Sequence, residues 1–419
     1  MNIWVLATGE PFPSDGDSPR MLRAGILVDM MANSGICVTW WNSDFDHTRK
    51  ISRSNDTKQK YLKYKFNSRL LKGRPYHSNV SIARIINHKE VARDFSLKAP
   101  NELPPDIIFA AYPTIELCEA ALAYARPRGI PVVVDIRDLW PDIFINLLPR
   151  WASWVARILL FFMFRSSRRV CAHATAITGI TDSFVNWGVE RAGRLRLDWD
   201  KAYPLAYRIQ EPIGSSFEAG RAYWDEIGLF KGSPIVCFFG TLGRQFDIPC
   251  LIEAARILAD TPFQIVICGT GDRLADYRQL ASGLSKVYFP GWVDGPCIQA
   301  LMERSLGGLA PYYNELSFNM SLPNKAIEYL AGGLPVISTL RGDLEALLRV
   351  NECGITTPSG NPQALANAIM KLLTDNVMRE KMARNARKLY ETYFVADMVY
   401  GQLIEDLCLI AQESCLGHA

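Results

Sequence analysis

Short apolar runs recur along the chain, each ending in glycine, proline or small polar residues and followed by a stretch with apolar residues at helical spacing. Residues 2–8 (NIWVLAT) form the first such run, and a turn-rich loop carrying Gly9, Pro11, Pro13, Ser14, Asp15 and Gly16 follows it. Met21, Leu22, Ile26, Leu27, Met30 and Met31 then mark one face of a helix closed by Ser34-Gly35, before a strand at 38–41. Strand, loop, helix and strand in that order predict a parallel α/β layer. Residues 44–98 are polar, basic and poorly periodic, and predict long loops with broken helices. Order returns with strands at 106–111, 132–135 and 176–180 and a helix at 115–126. A connection rich in proline spans 201–216, after which the pattern restarts. Buried strands are expected at 235–239, 264–268, 287–289, 307–310, 336–338 and 354–357, with a helix over 247–258. Residues 362–394 read as helical, with Asn361 as N-cap before Pro362, and 396–412 as a terminal amphipathic helix.

Length agrees with that restart, since 419 residues exceed one ordinary core. The expected division is 1–210, 211–395, and a terminal helix 396–419 packing back on the first domain. Two α/β layers imply a cleft with ligands at the C-terminal ends of strands. Hydrophobic residues make up 49% and charged residues 21%, a globular balance. The net charge of +3, from 46 basic and 43 acidic residues, argues against nucleic acid as a partner. Ten cysteines without metal-ligand spacing and five scattered histidines predict free thiols in a reducing cytoplasm and no metal site.

One segment departs from the globular pattern. In 143–169, Trp151, Trp154, Val155, Ile158, Leu159, Leu160, Phe161, Phe162, Met163 and Phe164 stand among Arg150, Arg157, Arg165, Arg168 and Arg169. The apolar part is shorter than the ~20 residues that span a bilayer. It suits a helix lying in a membrane interface, with a buried domain helix and snorkelling arginines as the alternative.

The candidate chemistry gathers in the second half. A strand ends in Phe239-Gly240-Thr241-Leu242-Gly243-Arg244, a second in Cys268-Gly269-Thr270-Gly271-Asp272 and a third in Pro290-Gly291-Trp292. Glycine turns at strand ends present backbone amides to an anion, and Arg244 adds a cation. After them comes Pro323-Asn324-Lys325-Ala326-Ile327-Glu328-Tyr329-Leu330-Ala331-Gly332-Gly333-Leu334-Pro335, an apolar helix with proline in its first turn and glycines closing it. Glu328 in such a helix needs a partner. A ribose diol would satisfy it and the helix start would suit a diphosphate, whereas a Glu328–Lys325 pair on a solvated face is the bland alternative.

These motifs resemble the retaining family-4 glycosyltransferases of the GT-B fold, which have two facing Rossmann-like domains with parallel sheets and an interdomain cleft. Asp15-Gly16-Asp17-Ser18-Pro19-Arg20, Trp40-Trp41-Asn42-Ser43-Asp44-Phe45-Asp46-His47 and Val134-Asp135-Ile136-Arg137-Asp138-Leu139-Trp140-Pro141-Asp142 look like the WbuB-like subgroup of bacterial surface-polysaccharide synthesis. The resemblance covers nearly the whole chain. It implies a donor ribose on Glu328, a diphosphate at Gly240, Arg244 and Lys325, and Gly16 in a loop closing over the donor. Gly269, Gly271 and Trp292 complete the implied donor set, and Asp138 is the candidate acid on the acceptor side. Met320 stands where the family often has a second glutamate for the donor sugar, and Phe246-Asp247 lies near the place of a second basic residue. Asp44-Phe45-Asp46 has the look of a metal-binding Asp-x-Asp from another architecture. No metal or cofactor is implied, with leaving-group charge met by Arg244, Lys325 and helix N-termini.

The activity implied is transfer of a sugar from a nucleoside diphosphate sugar, a UDP-sugar by preference, to a lipid-linked saccharide at the cytoplasmic face of the inner membrane, in polysaccharide, O-antigen or lipopolysaccharide synthesis. The alternatives are a UDP-sugar 2-epimerase on the same fold and a non-catalytic nucleotide-sugar-binding scaffold. A dehydrogenase is disfavoured, because neither first strand runs into a G-x-G-x-x-G turn.

Overall fold

Fourteen strands are described in chain order: β1 (Asn2–Leu6), β2 (Cys37–Ser43), β3 (Phe45–Asp46), β4 (Ile51–Ser52), β5 (Asn67–Leu71), β6 (Ile107–Tyr112), β7 (Val132–Ile136), β8 (Ala176–Gly179), β9 (Ile235–Phe239), β10 (Gln264–Cys268), β11 (Val287–Gly291), β12 (Ser305–Ala310), β13 (Val336–Ser338) and β14 (Gly354–Thr356). The computed structural model describes every residue except 16–19, 48, 54–64, 79–80, 147–152, 209–213, 230–231 and 417–419. The chain divides into two units, Met1–Pro204 with Ala396–Ala419, and Leu205–Val395.

The first unit is built on a sheet of order β5-β2-β1-β6-β7-β8, with every pair parallel. The apolar runs form strands because helices cover both faces and leave no polar side. Strands β1, β6, β7 and β8 are buried along their whole length. Chain order turns back between β1 and β6, the doubly wound arrangement in which ligands collect at the carboxyl ends of the two reversing strands. Trp4, Trp41, Phe95 and Tyr124 pack beneath the sheet, with Trp4 4.9 Å from Trp41 and 5.1 Å from Tyr124 between ring centres. The helix Ala396–Leu416 packs against the helix Arg23–Asn33 and completes this core with Tyr400, Leu403, Leu407 and Ile410.

The second unit repeats the plan, with a parallel sheet of order β11-β10-β9-β12-β13-β14. Its reversal lies between β9 and β12. Tyr329 fixes the helix Asn324–Ala331 beneath that point, donating its hydroxyl to Leu309 O at 3.0 Å and Cys237 O at 3.3 Å. Gly308 makes the approach possible, since a Cβ there would lie 2.2 Å from the Tyr329 ring.

One sequence expectation is corrected. Residues 44–98 hold the hairpin β3–β4, the strand β5 and a long helix, Ile82–Lys98, instead of loops and broken helices. That helix hides its periodicity because two of its inward positions are polar, Asn87 and His88. Residues 362–394 form two helices, Pro362–Thr374 and Asn376–Tyr393, because the Asp375 side chain caps the second by accepting from Met378 N at 2.9 Å. In the described part of 143–169, the helix Phe161–His173 buries one face through Ser167, Val170 and Cys171, while the helix Ser153–Leu159 and the start of the next present an apolar face outward. Trp154, Val155, Ile158, Leu159, Phe161 and Phe162 are exposed, Phe162 by 78%.

Candidate functional site

In the second unit, the ends of β9 and β10 fold into two glycine turns that lock together. Gly240 and Gly269 have φ of +143° and +135°, backbone that side chains with a Cβ rarely adopt. Gly240 N donates to Cys268 O at 3.0 Å, Leu242 N to Thr270 O at 2.9 Å and Gly269 N to Gly291 O at 2.6 Å. The contacts leave no space for side chains: a Cβ on Gly269 would lie 1.9 Å from Gly240 O, and one on Gly271 2.4 Å from Leu242 O. Gly240, Gly269, Gly271 and Gly291 therefore form one backbone surface over three adjoining strand ends. Trp292, next along, is 72% exposed.

Lys325 reaches this surface from the first turn of the helix Asn324–Ala331. Its ammonium donates to Phe239 O, lies 4.1 Å from the Phe238 ring centre, and stands 2.5 Å from where a Gly240 Cβ would be. The Phe239 and Phe246 rings complete an aromatic surround at 5.3 and 5.1 Å. Glu328, one turn further, is also buried, and with Lys325 only 7% exposed the solvated ion-pair alternative is excluded. Burial first, and then the Glu328 charge, push the Tyr312 hydroxyl up. Arg244 is exposed. The structure thus brings together Gly240, Gly269, Gly271 and Lys325, places Glu328 on the same helix, and leaves Arg244 and Trp292 at the rim.

Near the expected second-basic place, Asp247 is structural. It caps the helix Ile248–Ile257 by accepting from Cys250 N at 3.1 Å, and accepts from Tyr313 Oη at 3.2 Å. Met320 follows the short helix Leu316–Asn319, and Gly342 presses on it closely enough that a Cβ would lie 2.2 Å from Asn319 O.

In the first unit, Asp135 is wholly buried at the end of β7. It accepts from Arg23 Nε and Nη2 at 3.0 Å each, Arg137 Nε at 2.6 Å and Thr178 Oγ1 at 2.9 Å. Burial alone would raise its pKa, but Arg23 and Arg137 outweigh that and hold it at about 2. Arg137 also pairs with Glu10, and Asp142 with Arg191. The acids of 135–142 accordingly split: Asp135 and Asp142 belong to ion networks. Asp138 instead accepts from Leu139 N at 2.8 Å, and burial pushes its carboxyl above the ordinary value against the pull of that amide and of Arg84.

Arg84 belongs to a group that the sequence reading did not assemble. His47 Nδ1 lies 2.6 Å from Tyr76 Oη and 3.5 Å from Lys50 Nζ; Arg84 lies over the Trp140 ring at 4.5 Å, and His88 stacks on the same ring at 5.3 Å. The contributors are scattered over 47–140, so only the fold unites them. Gly16 lies outside the described residues. Asp44 accepts from Gly73 N, past the end of β5, at 3.2 Å, and Asp46 accepts from Arg49 N in its own turn at 2.9 Å. Among the described residues no cluster of three His, Cys, Asp or Glu side chains is placed to hold a metal.

Residues 233–375, which contain the glycine turns, Lys325 and Glu328, match the family described as Glycosyl transferases group 1. An uncharacterized glycosyltransferase of Methanocaldococcus jannaschii is 30% identical over 43% of this chain and 46% of its own length. The alpha-D-kanosaminyltransferase of Streptomyces kanamyceticus is 26% identical over 58% of this chain and 68% of its own. The chain thus spans from about half to two thirds of these relatives. The crystal structure of Anabaena Alr3699/HepE in complex with UDP superposes with a TM-score of 0.67 at 15% identity, covering 97% of this chain and 100% of that one. That likeness is one of fold, the pair of parallel-sheet Rossmann-like units of the GT-B type.

Proposed function

We propose that this protein is a glycosyltransferase that moves a sugar from a UDP-sugar, with retention at the anomeric carbon, to a lipid-linked saccharide in the assembly of a bacterial surface polysaccharide. The observation that carries the reading is the buried Glu328 on a helix whose first turn delivers Lys325 to the Gly240–Gly269 turns at the strand reversal. A carboxylate one turn below a cation at a pair of glycine turns is spaced for a ribose diol beside a diphosphate. In this mechanism Glu328 holds the ribose, and Gly240, Gly269 and Gly271 let the backbone approach the phosphates. Lys325 and Arg244 take up charge as the diphosphate leaves, with no metal ion assigned. A departing phosphate oxygen accepts the proton of the acceptor hydroxyl, and Asp138 positions that hydroxyl. Trp292 shields the donor from the rim.

The lipid side of the proposal is supported by the exposed face of Trp154, Val155, Ile158, Leu159, Phe161 and Phe162, interleaved with exposed Arg157, Arg165 and Arg168. Apolar side chains at acyl depth and arginines at phosphate level suit a peripheral contact with a membrane. Among the described residues no helix is long and apolar enough to cross one.

Glu328→Ala tests the donor site. UDP binding by calorimetry should weaken by at least about tenfold, the loss expected for a hydrogen-bonded charge, with the melting transition retained. Unchanged UDP affinity in a folded variant would remove the assignment. Mass spectrometry of lipid-linked saccharides incubated with a panel of nucleotide sugars would then identify donor and product.

A further inference from the structure

At the carboxyl ends of the first unit's strands, Tyr76 and Trp140 form the base of a group of cationic and imidazole side chains. Lys50 Nζ stands over the Tyr76 ring at 4.7 Å, and Arg84 lies over both rings, at 6.0 Å from Tyr76 and 4.5 Å from Trp140. His47 approaches Tyr76 from the hairpin β3–β4 and lies beside Gly9, just past β1, where a Cβ would stand 3.9 Å from the imidazole. This places the group at the strand reversal, where doubly wound sheets bind ligands. An ammonium only donates, so His47 Nδ1 accepts and the neutral ring carries its proton on Nε2.

Positive charge is crowded here. Burial, then Arg84, then Lys50 hold His47 down to about 3, and burial and Arg84 hold His88 at about 3. Burial and Arg84 also lower Lys50. Among the described residues the facing acids are Asp138, Asp46 and Glu116. Asp138 lies close enough to Arg84 to feel its charge, Asp46 is engaged by Arg49, and Glu116 is 3.7 Å from His88 Nδ1. His88 is 5% exposed, and its Nδ1 has no hydrogen-bond partner among the described residues. Ammonium, guanidinium and imidazole over two aromatic rings form a donor set suited to an anion with several oxygens.

We propose that Lys50, Arg84 and His47, over Tyr76 and Trp140, form a subsite for a phosphate-bearing group of the acceptor. The inference rests on the transferase reading only in calling the ligand an acceptor. A dianion there reverses the local field and so raises the depressed pKa values of both imidazoles.

The test follows the ring nitrogens of His47 and His88 by NMR in the intact, histidine-labelled protein, a readout that needs no sugar transfer and is separate from UDP binding. Across an acid pH titration, inorganic pyrophosphate should raise the pKa values of both rings by at least about one unit. Lys50→Gln and Arg84→Gln should each weaken that response at least about fivefold, whereas Glu328→Ala should leave it intact. If Arg84→Gln fails to fold, Lys50→Gln, on a half-buried side chain, decides the matter. A prenyl diphosphate sugar in detergent and a soluble sugar 1-phosphate separate the sources: a stronger response to the first marks a lipid-borne phosphate, and equal responses a free one. Rings that stay unmoved by pyrophosphate, or that respond equally to a neutral alkyl glycoside, overturn the proposal, as does an undiminished response in Lys50→Gln.

Discussion

Replacing Arg23 by methionine keeps most of the side-chain stem and removes the guanidinium from the centre of the first unit. In the native protein Arg23 gives Asp135 two hydrogen bonds at 3.0 Å, donates through Nη1 to Tyr203 O at 2.7 Å and Pro204 O at 3.2 Å, and lies 5.4 Å from the Tyr400 ring centre. The variant leaves a fully buried carboxylate with Arg137 and Thr178, and leaves the two carbonyls without that donor. Breaking one side of a buried pair costs about 3–5 kcal/mol, a large share of the ~5–15 kcal/mol that holds a domain folded. The pH dependence gives a second measure. Asp135 titrates at about 2 in the folded protein against an ordinary 3.8, so its contribution is fully present above about pH 4 and is lost as pH falls through about 2. A shift of that size corresponds to roughly 2 kcal/mol. In Arg23→Met the lowering shrinks, and the acid limb should begin at higher pH. Urea unfolding at pH 7 and an acid titration, with hydrogen exchange of β7 and the helix Ala396–Leu416 to locate the change, measure both. A loss below about 1 kcal/mol, the scale of an exposed pair, or an unmoved acid limb would refute the reasoning.

Gly269→Ala should destabilise the second unit by about 2–4 kcal/mol, because φ is +135° and the new Cβ would lie 1.9 Å from Gly240 O; urea unfolding followed by hydrogen exchange of β9 and β10 checks it, and a neutral effect would mean that the turns do not interlock. Arg244→Ala should leave stability within about 0.5 kcal/mol, as expected of an exposed side chain, and lower kcat more than donor affinity; steady-state kinetics with donor titration would expose the reverse split. Replacing Trp154, Phe161 and Phe162 by serine should weaken sedimentation with anionic vesicles at least about tenfold without lowering the melting temperature, whereas a lower melting temperature would mean that the three rings pack inside the unit.

Strand runs were legible wherever both faces of the sheet are covered, since β6 and β9 are then unbroken apolar segments, β1 and β10 are apolar after their first residue, and Asp135 alone interrupts β7. The donor side was legible for a related reason. Its glycines sit where chain turns at strand ends, so local sequence carries their meaning, and Lys325 and Glu328 share one helix. The helix Ile82–Lys98 escaped because Asn87 spends an inward position donating to Arg74 O at 2.8 Å and His88 another stacking on Trp140. Arg23 with Asp135, and Arg84 with Trp140, were illegible for want of any local signal, each pair being joined across the sheet by topology alone. Tyr329 offered a weak clue in the Gly307-Gly308 pair of β12, because glycine inside a buried strand implies close approach by something large.

The helix Ala396–Leu416 belongs to the unit whose other elements end at Pro204. Asp406 on that helix takes hydrogen bonds from Lys201 Nζ at 2.8 Å and from the Tyr203 hydroxyl, and Trp199 Nε1 donates to Glu413 at 3.0 Å. During translation, therefore, the first unit emerges from the ribosome without its closing helix, and the ring of Tyr400 reaches Arg23 only after all of Leu205–Val395 has been made. At ordinary elongation rates that interval is on the order of ten seconds or more. The second unit is contiguous and can complete itself first, so the first sheet, complete in its strands but with the apolar surface under the missing helix open for the wait, is where a chaperone would find this chain.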